Sequence, residues 1–251
     1  MVYAPPFTLS PESEDCIAEI EDSVSVLESH PLDPGELRLS RLRSALASAA
    51  IEGNHLTFDQ AVDVIEGRDV SRPRREVLEV RNAFRCYEHL LDFDQNSIGD
   101  ILMAHGMMMD GIIPDSGYFR SVEVGVYSGG VPVHIAPPAR LVGPLMHDLM
   151  GWARATDVHP LVKGCVFHYE FEMIHPFVDG NGRTGRLWQN LILASWNGAM
   201  EGVETDVGIL RNQSRYYSAI EESTDEADSG PFLEFMLRMI RDAVRARLGS
   251  E

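Results

Sequence analysis

The chain has 251 residues, 44% of them hydrophobic, and a formal net charge of −18, so it can fill a core and is not a disordered polymer. A surface that acidic repels nucleic acid and anionic lipid, so neither a nucleic-acid nor a membrane partner is expected, and any polyanionic ligand needs a local basic pocket. Cys16, Cys86 and Cys165 stand far apart with no CxxC pair, which argues against a disulfide framework or zinc site and fits a reducing, cytoplasmic setting.

In chain order, no basic start followed by an apolar stretch suggests a secretory signal. Asp33-Pro34-Gly35-Glu36 reads as a helix start: an Asp N-cap, Pro at the first helical position and Glu at the third. That helix is expected to run through Leu42, Leu46 and Ala49 and stop at Gly53. Thr57 with Gln60 repeats the capping box and opens a short helix ending near Gly67. Helices follow over about 73–93 and 97–109, with Met103, Met107, Met108 and Met109 read as core filler. Between Phe119 and Ile135 the period changes to two, with Val122, Val124 and Val126 before Ser128-Gly129-Gly130 and Val131, Val133 and Ile135 after it. Alternation about a glycine turn predicts a β-hairpin, which must lean on helices to be stable. Pro137-Pro138 ends it, and helices resume over about 138–155, 160–174, 183–197 and 231–248. The last carries Phe232, Phe235, Met236, Met239, Ile240 and Ala243 as a core stripe. The fold class is mainly α, with a hairpin and an N-terminal helical extension over 1–70 before a domain over 71–251.

The densest chemical signal is His175-Pro176-Phe177-Val178-Asp179-Gly180-Asn181-Gly182-Arg183-Thr184-Gly185-Arg186. Gly180 and Gly182 allow backbone conformations closed to other residues and let a ligand approach the main chain. A turn opening a helix offers free N–H groups and a positive dipole end, an anion site. Arg183 and Arg186, three apart, share a helix face, and each can grip phosphate oxygens in a bidentate way. Asp179 is a hard oxygen ligand suited to Mg²⁺ bridging phosphates. An imidazole ordinarily titrates near neutrality, so His175 is a residue type that can take a proton. An isolated His, a glycine turn or two helix arginines each carry little weight. Their conjunction within twelve residues carries a great deal.

The string resembles the Fic signature, HxFx(D/E)GNGRxxR, at every fixed position, and the likeness extends over roughly Val80 to Phe235. Gly117-Tyr118-Phe119-Arg120 and the hairpin resemble the family's flap, which docks the target segment by strand addition, here through Val124, Val126 and Tyr127. Tyr216-Tyr217 resembles the pair beside the adenine, with Thr224 where some relatives have Asn. The resemblance implies a protein adenylyltransferase using ATP and Mg²⁺ or Mn²⁺. His175 would deprotonate a Ser, Thr or Tyr hydroxyl of a target protein. Asp179 would hold the metal. Asn181 and the N–H groups about Gly180 and Gly182 would hold the α-phosphate, with Arg183 on the β- and Arg186 on the γ-phosphate. Thr184, Gly185 and Tyr216 complete the implied nucleotide set, and Phe177 anchors the loop.

Upstream, Ser48-Ala49-Ala50-Ile51-Glu52-Gly53-Asn54 resembles the family's inhibitory motif, (S/T)xxxE(G/N). Ser48 and Glu52 are four apart on one face of a helix ending at Gly53. The resemblance implies that Glu52 pairs with Arg186 and keeps the γ-phosphate out. Three alternatives stay open: removal of AMP from a modified target at the same site, transfer of another phosphate-linked group, and a binding protein on a Fic scaffold. Self-modification and homodimerisation are also left open. No winged-helix tail is expected after Gly230.

Overall fold

The computed structural model describes residues 3–128 and 131–249, and over 126–128 and 131–135 the backbone alone. Eleven helices and one hairpin are found among the described residues: α1 (Pro11–Ser29), α2 (Pro34–Ile51), α3 (Phe58–Ile65), α4 (Arg74–Glu88), α5 (Ile98–Met108), β1 (Gly125–Ser128), β2 (Val131–Ile135), α6 (Ala139–Ala155), α7 (Pro160–Ile174), α8 (Asn181–Trp196), α9 (Thr205–Arg211), α10 (Gln213–Glu226) and α11 (Gly230–Leu248).

The helix starts follow their capping chemistry. Asp33 Oδ1 accepts from the N–H of Gly35 at 2.7 Å and of Glu36 at 2.9 Å, and Glu36 Oε2 accepts from the Asp33 N–H at 3.0 Å. Thr57 and Gln60 close the same box at α3. Two expected boundaries move. The helix expected over 73–93 stops at Glu88 and continues as a short 3₁₀ turn over Leu90–Asp92. Of the four methionines, Met108 and Met109 are fully buried, while Met103 is 54% exposed and so is not core filler.

The centre is α7, apolar on all sides and buried at Leu161, Val162, Cys165, Val166, Phe167, Phe171 and Ile174. A helix hydrophobic all round has to be surrounded. It lies along α8, and the two come close at Gly185, where a Cβ would stand 3.0 Å from His168 Cδ2. Helix α2 packs on α4 and α9, and α1 on α11. One apolar core therefore runs from Cys16, Ile20 and Leu42 through Phe167 to Phe232 and Val244.

The hairpin is shorter than the alternating pattern suggested. Gly125 pairs with Ile135 and Ser128 with Val131, with a register shift between Val126 and Tyr127 opposite Pro132, a residue with no N–H for the ladder. Val122 and Val124 precede the first strand, and Val122 is exposed. The side chains of Val126 and Tyr127 and the Gly129-Gly130 turn lie outside the described residues.

What ties the hairpin base to the helical body is Arg120, buried at 3% exposure. Its guanidinium donates to the carbonyls of His175 at 2.7 Å, Pro137 at 2.6 Å, Val122 at 3.1 Å and Ile174 at 3.3 Å. Its own N–H donates to the Pro176 carbonyl at 2.9 Å. One side chain thus satisfies both ends of the hairpin and the C-terminal carbonyls of α7. Replacing it by Met keeps the bulk and strands several carbonyls, each costing about 1–3 kcal/mol. Arg120→Met is expected to lower the thermal midpoint by roughly 5–10 °C in a chain of this size. An unchanged midpoint in a melting scan would show that the clamp carries no stability.

Candidate active site

Helix α7 ends at His175, which takes a left-handed conformation with φ +50° while its N–H donates to the Phe171 carbonyl at 2.9 Å. A non-glycine residue in that region is held there by its surroundings. Here Arg120 grips its carbonyl, and Phe177 two residues on is fully buried. The Phe177 ring stacks on His105 with centroids 3.5 Å apart and the planes parallel within 1°. His105 Nδ1 accepts from the Gly117 N–H at 2.9 Å, so the ring proton is on Nε2, which donates to the Asp179 carbonyl at 2.9 Å. Burial pushes this imidazole down to about 4, against the pull of that carbonyl bond, so it stays neutral. Gly180 has φ +87°, and a Cβ there would stand 2.7 Å from Met109 Sδ. The loop is therefore braced from beneath by α5. Reading the sequence missed His105. Its only signal was a single imidazole in an otherwise apolar, Met-rich helix.

Asn181 opens α8, and its carboxamide is spent within the loop. Oδ1 accepts from the Phe177 N–H at 2.9 Å and Nδ2 donates to the Phe177 carbonyl at 2.9 Å. The side chain expected on the α-phosphate thus holds the turn closed. The first-turn N–H groups of Asn181, Gly182 and Arg183 are left over, as at any helix start, and remain the anion donors. Thr184 and Gly185 do not face the site. Thr184 Oγ1 donates to the Gly180 carbonyl at 2.9 Å, and Gly185 is the close approach to α7.

Arg183 is nearly fully buried, with Nη2 3.0 Å from Asp179 Oδ1 and Nη1 3.5 Å from Glu79 Oε1. Its Nε and Nη1 are buried without a hydrogen-bond partner among the described residues, as expected of donors awaiting an anion. Asp179 Oδ1 also accepts from the Gly180 N–H at 2.6 Å, and Oδ2 accepts from Arg75 Nη2 at 2.5 Å. Burial pushes the Asp179 carboxyl up, but the Arg183 and Arg75 guanidiniums and the Gly180 N–H outweigh it and hold it below the usual range. An ionised carboxylate at the rim, one third exposed and already facing a cation, fits a Mg²⁺ ion that takes its other ligands from phosphate and water.

Arg186 is buried and gathers the upstream motif. Its Nε donates to Ser48 Oγ at 2.9 Å, and its Nη2 to the Ser48 carbonyl at 3.0 Å and to Glu52 Oε1 at 2.8 Å. Asp206 Oδ1 lies 3.5 Å from its Nε. Burial alone would weaken the charged form, and the carboxylates of Glu52 and Asp206 more than reverse this. Glu52 caps α2, and Gly53 with φ +90° turns the chain away. The Glu52 carboxylate lies against the first turn of α8, so close that a Cβ at Gly182 would collide with its Oε1. The structure thus brings Ser48, Glu52, Gly182 and Arg186 together. Glu172 on α7 lies nearby, its carboxyl pushed up to about 8 by burial and by the Glu52 charge, against the pull of Arg186.

Tyr216 sits elsewhere than expected. Its ring is 2% exposed, packed against Phe232 and Phe235, and its hydroxyl donates to His168 Nε2 at 3.1 Å. It belongs to the core, and Tyr217, 40% exposed, is the member of the pair that reaches the surface. The Tyr217 hydroxyl and Gln213 Nε2 donate to the Ile51 carbonyl at 3.4 and 2.7 Å, so α10 holds the end of α2.

Comparison with known proteins gives the same answer from another direction. The Fic/DOC family matches residues 95–193. A solved Fic family protein from Desulfovibrio desulfuricans G20 is 44% identical, with a TM-score of 0.95 over 99% of this chain and 77% of that one. Fic-1 from C. elegans shares the fold, with a TM-score of 0.78 at 22% identity over 95% of this chain and 72% of that one. Proteins named Protein adenylyltransferase Fic are 26% identical in Culex quinquefasciatus and 29% in Nematostella vectensis, over 93% and 81% of this chain. The chain spans about half the length of these curated relatives, 51% and 48%. With a complete signature loop and a 44% identical relative aligned over nearly its whole length, this chain belongs to the Fic family.

Proposed function

We propose that the chain transfers the AMP part of ATP to a Ser, Thr or Tyr hydroxyl of a protein, and that Glu52 holds this activity back. The observation that carries this reading is the Glu52 carboxylate on Arg186 at 2.8 Å, against a helix start built to receive an anion. In this reading the carboxylate holds the place of a phosphate. The names of the curated relatives support the same chemistry.

In this reading His175 takes the proton of the incoming hydroxyl, whose oxygen attacks the α-phosphorus. The bond to the departing pyrophosphate breaks as the new one forms. The N–H groups of Asn181, Gly182 and Arg183 meet the charge that grows on the α-phosphate oxygens. Arg183 grips the β-phosphate through its unused Nε and Nη1. Arg186 takes the γ-phosphate once Glu52 leaves. A Mg²⁺ ion held by Asp179 and phosphate oxygens would neutralise part of the triphosphate charge. Hydroxyls of the enzyme itself are open to the same reaction.

His175→Ala is expected to cut transfer of labelled AMP by about 10²–10⁴ while leaving the fold and ATP binding in place. A variant that keeps most of its rate would remove His175 from the mechanism.

Glu52→Gly is expected to raise transfer at least tenfold, which needs only about 1.4 kcal/mol. An Arg–carboxylate pair in a partly buried pocket can supply that much. The gain should vanish in Glu52→Gly with Arg186→Ala. Labelled-ATP transfer in whole lysate, read by mass spectrometry of the modified site, measures both. An unchanged rate in a folded, ATP-binding Glu52→Gly protein would end the autoinhibition claim. If Glu52→Gly instead loses the ability to strip AMP from a pre-modified target, Glu52 is catalytic and the hydrolytic reading moves ahead.

A further inference from the structure

Four charged side chains form a closed alternating ring at the mouth of the loop. Arg75 Nη2 lies 2.5 Å from Asp179 Oδ2, and Asp179 Oδ1 lies 3.0 Å from Arg183 Nη2. Arg183 Nη1 lies 3.5 Å from Glu79 Oε1, which in turn accepts from Arg75 Nε at 3.0 Å. Two guanidiniums and two carboxylates leave the ring without net charge. Its members differ sharply in exposure: the Arg183 side chain is 3% exposed and Glu79 12%, whereas Arg75 is 57% exposed. Glu79 is fixed further by Asn54 Nδ2, which donates to its Oε2 at 3.0 Å. Arg75 is therefore the exposed corner, anchored at Nε by a residue one helical turn along α4, with its tip on Asp179 and open to solvent.

We propose that Arg75 is a further residue of the nucleotide site. It holds the cation position on Asp179 in the nucleotide-free protein, turns on its Glu79 anchor to give that position up to Mg²⁺, and so sets how strongly nucleotide binding depends on the metal. This rests on reading the site as one for a nucleoside triphosphate. The physical reason is charge balance. With Arg75 in place, Asp179 is screened, and a metal-free triphosphate meets little repulsion from it. Without Arg75 the bare carboxylate repels the metal-free form and attracts the metal-bound one. Arg183 cannot play this part, because its side chain is buried between Asp179 and Glu79 and has no room to swing out. The sign of the effect is thus opposite to that of a simple phosphate ligand, whose loss weakens both forms.

The test is equilibrium binding of a fluorescent ATP analogue to the full chain carrying Glu52→Gly, with Mg²⁺ and with excess chelator. Arg75 is compared with Arg75→Ala, a change at an exposed side chain that leaves the core untouched. The ratio of Kd without metal to Kd with Mg²⁺ is expected to rise about threefold in Arg75→Ala, the scale of a partly exposed ion pair. The Mg²⁺ concentration for half-maximal binding should fall by a similar factor. An unchanged ratio would overturn the proposal. So would a falling ratio through weaker binding of the metal-bound form, which would make Arg75 a phosphate ligand. If the Arg75 protein binds the analogue in neither condition, the nucleotide-site reading fails and takes this inference with it.

Discussion

The guanidinium of Arg186 is a permanent charge in the middle of a protein core, and much of the surrounding structure is an answer to it. Such a group has to be matched by anions and hydrogen-bond acceptors where water cannot reach. Two elements supply them: α2 through Ser48 and Glu52, and α9 through Asp206. Asp206 is fully buried and held by the Tyr87 hydroxyl and Asn190 Nδ2, both at 2.9 Å, so it stays where it is. Glu52 is one third exposed and sits at a helix end. Of the two carboxylates it is the one that can leave without opening the core, and the one the proposed reading exchanges for a phosphate.

Two helix termini meet at this point. The C-terminal turn of α2 delivers a carboxylate to the N-terminal turn of α8, the arrangement a helix dipole favours on the receiving side. The end of α2 is fixed by Arg186 on the Ser48 carbonyl, by Gln213 and Tyr217 on the Ile51 carbonyl, and by Asn54 on α4. In the proposed reading, catalytic and inhibitory parts therefore share one junction. Beneath it the loop is rigid: His105, Phe177, Asn181 and Arg120 leave few soft torsions between His175 and Arg183. In the proposed mechanism this rigidity means that the nucleotide, rather than the loop, must adjust when Glu52 is in place.

What the sequence revealed was mostly local chemistry. Both capping boxes, the glycine-rich turn and the Ser48–Glu52 spacing are short-range patterns, and each lies in the structure where the pattern put it. The braces of the site were invisible because they come from far away in the chain. Arg120 reaches His175 across 55 positions, His105 reaches Asp179 across 74, and Arg75 reaches Asp179 across 104. No periodicity marks such residues. Tyr216 is a different case, since the sequence held the clue. Tyr216, Ala219 and Ser223 follow the spacing of a buried helical stripe, with Tyr217 off it, and all three are buried. The hairpin came out shorter than its alternating valines: pairing ends at Gly125–Ile135, and Pro137 and Pro138, which have no N–H to give, follow where the residues from Val122 onward would need partners.

If Glu52 stands in for the γ-phosphate, its removal should matter only to a nucleotide that has one. The most direct measurement is therefore the affinity of the intact and Glu52→Gly chains for ADP and ATP under identical Mg²⁺ and salt. Intact protein should bind the two alike, and Glu52→Gly should tighten ATP at least several-fold while leaving ADP unchanged. An equal gain for ADP and ATP, or no gain for either, would contradict the exchange of one anion for the other on Arg186.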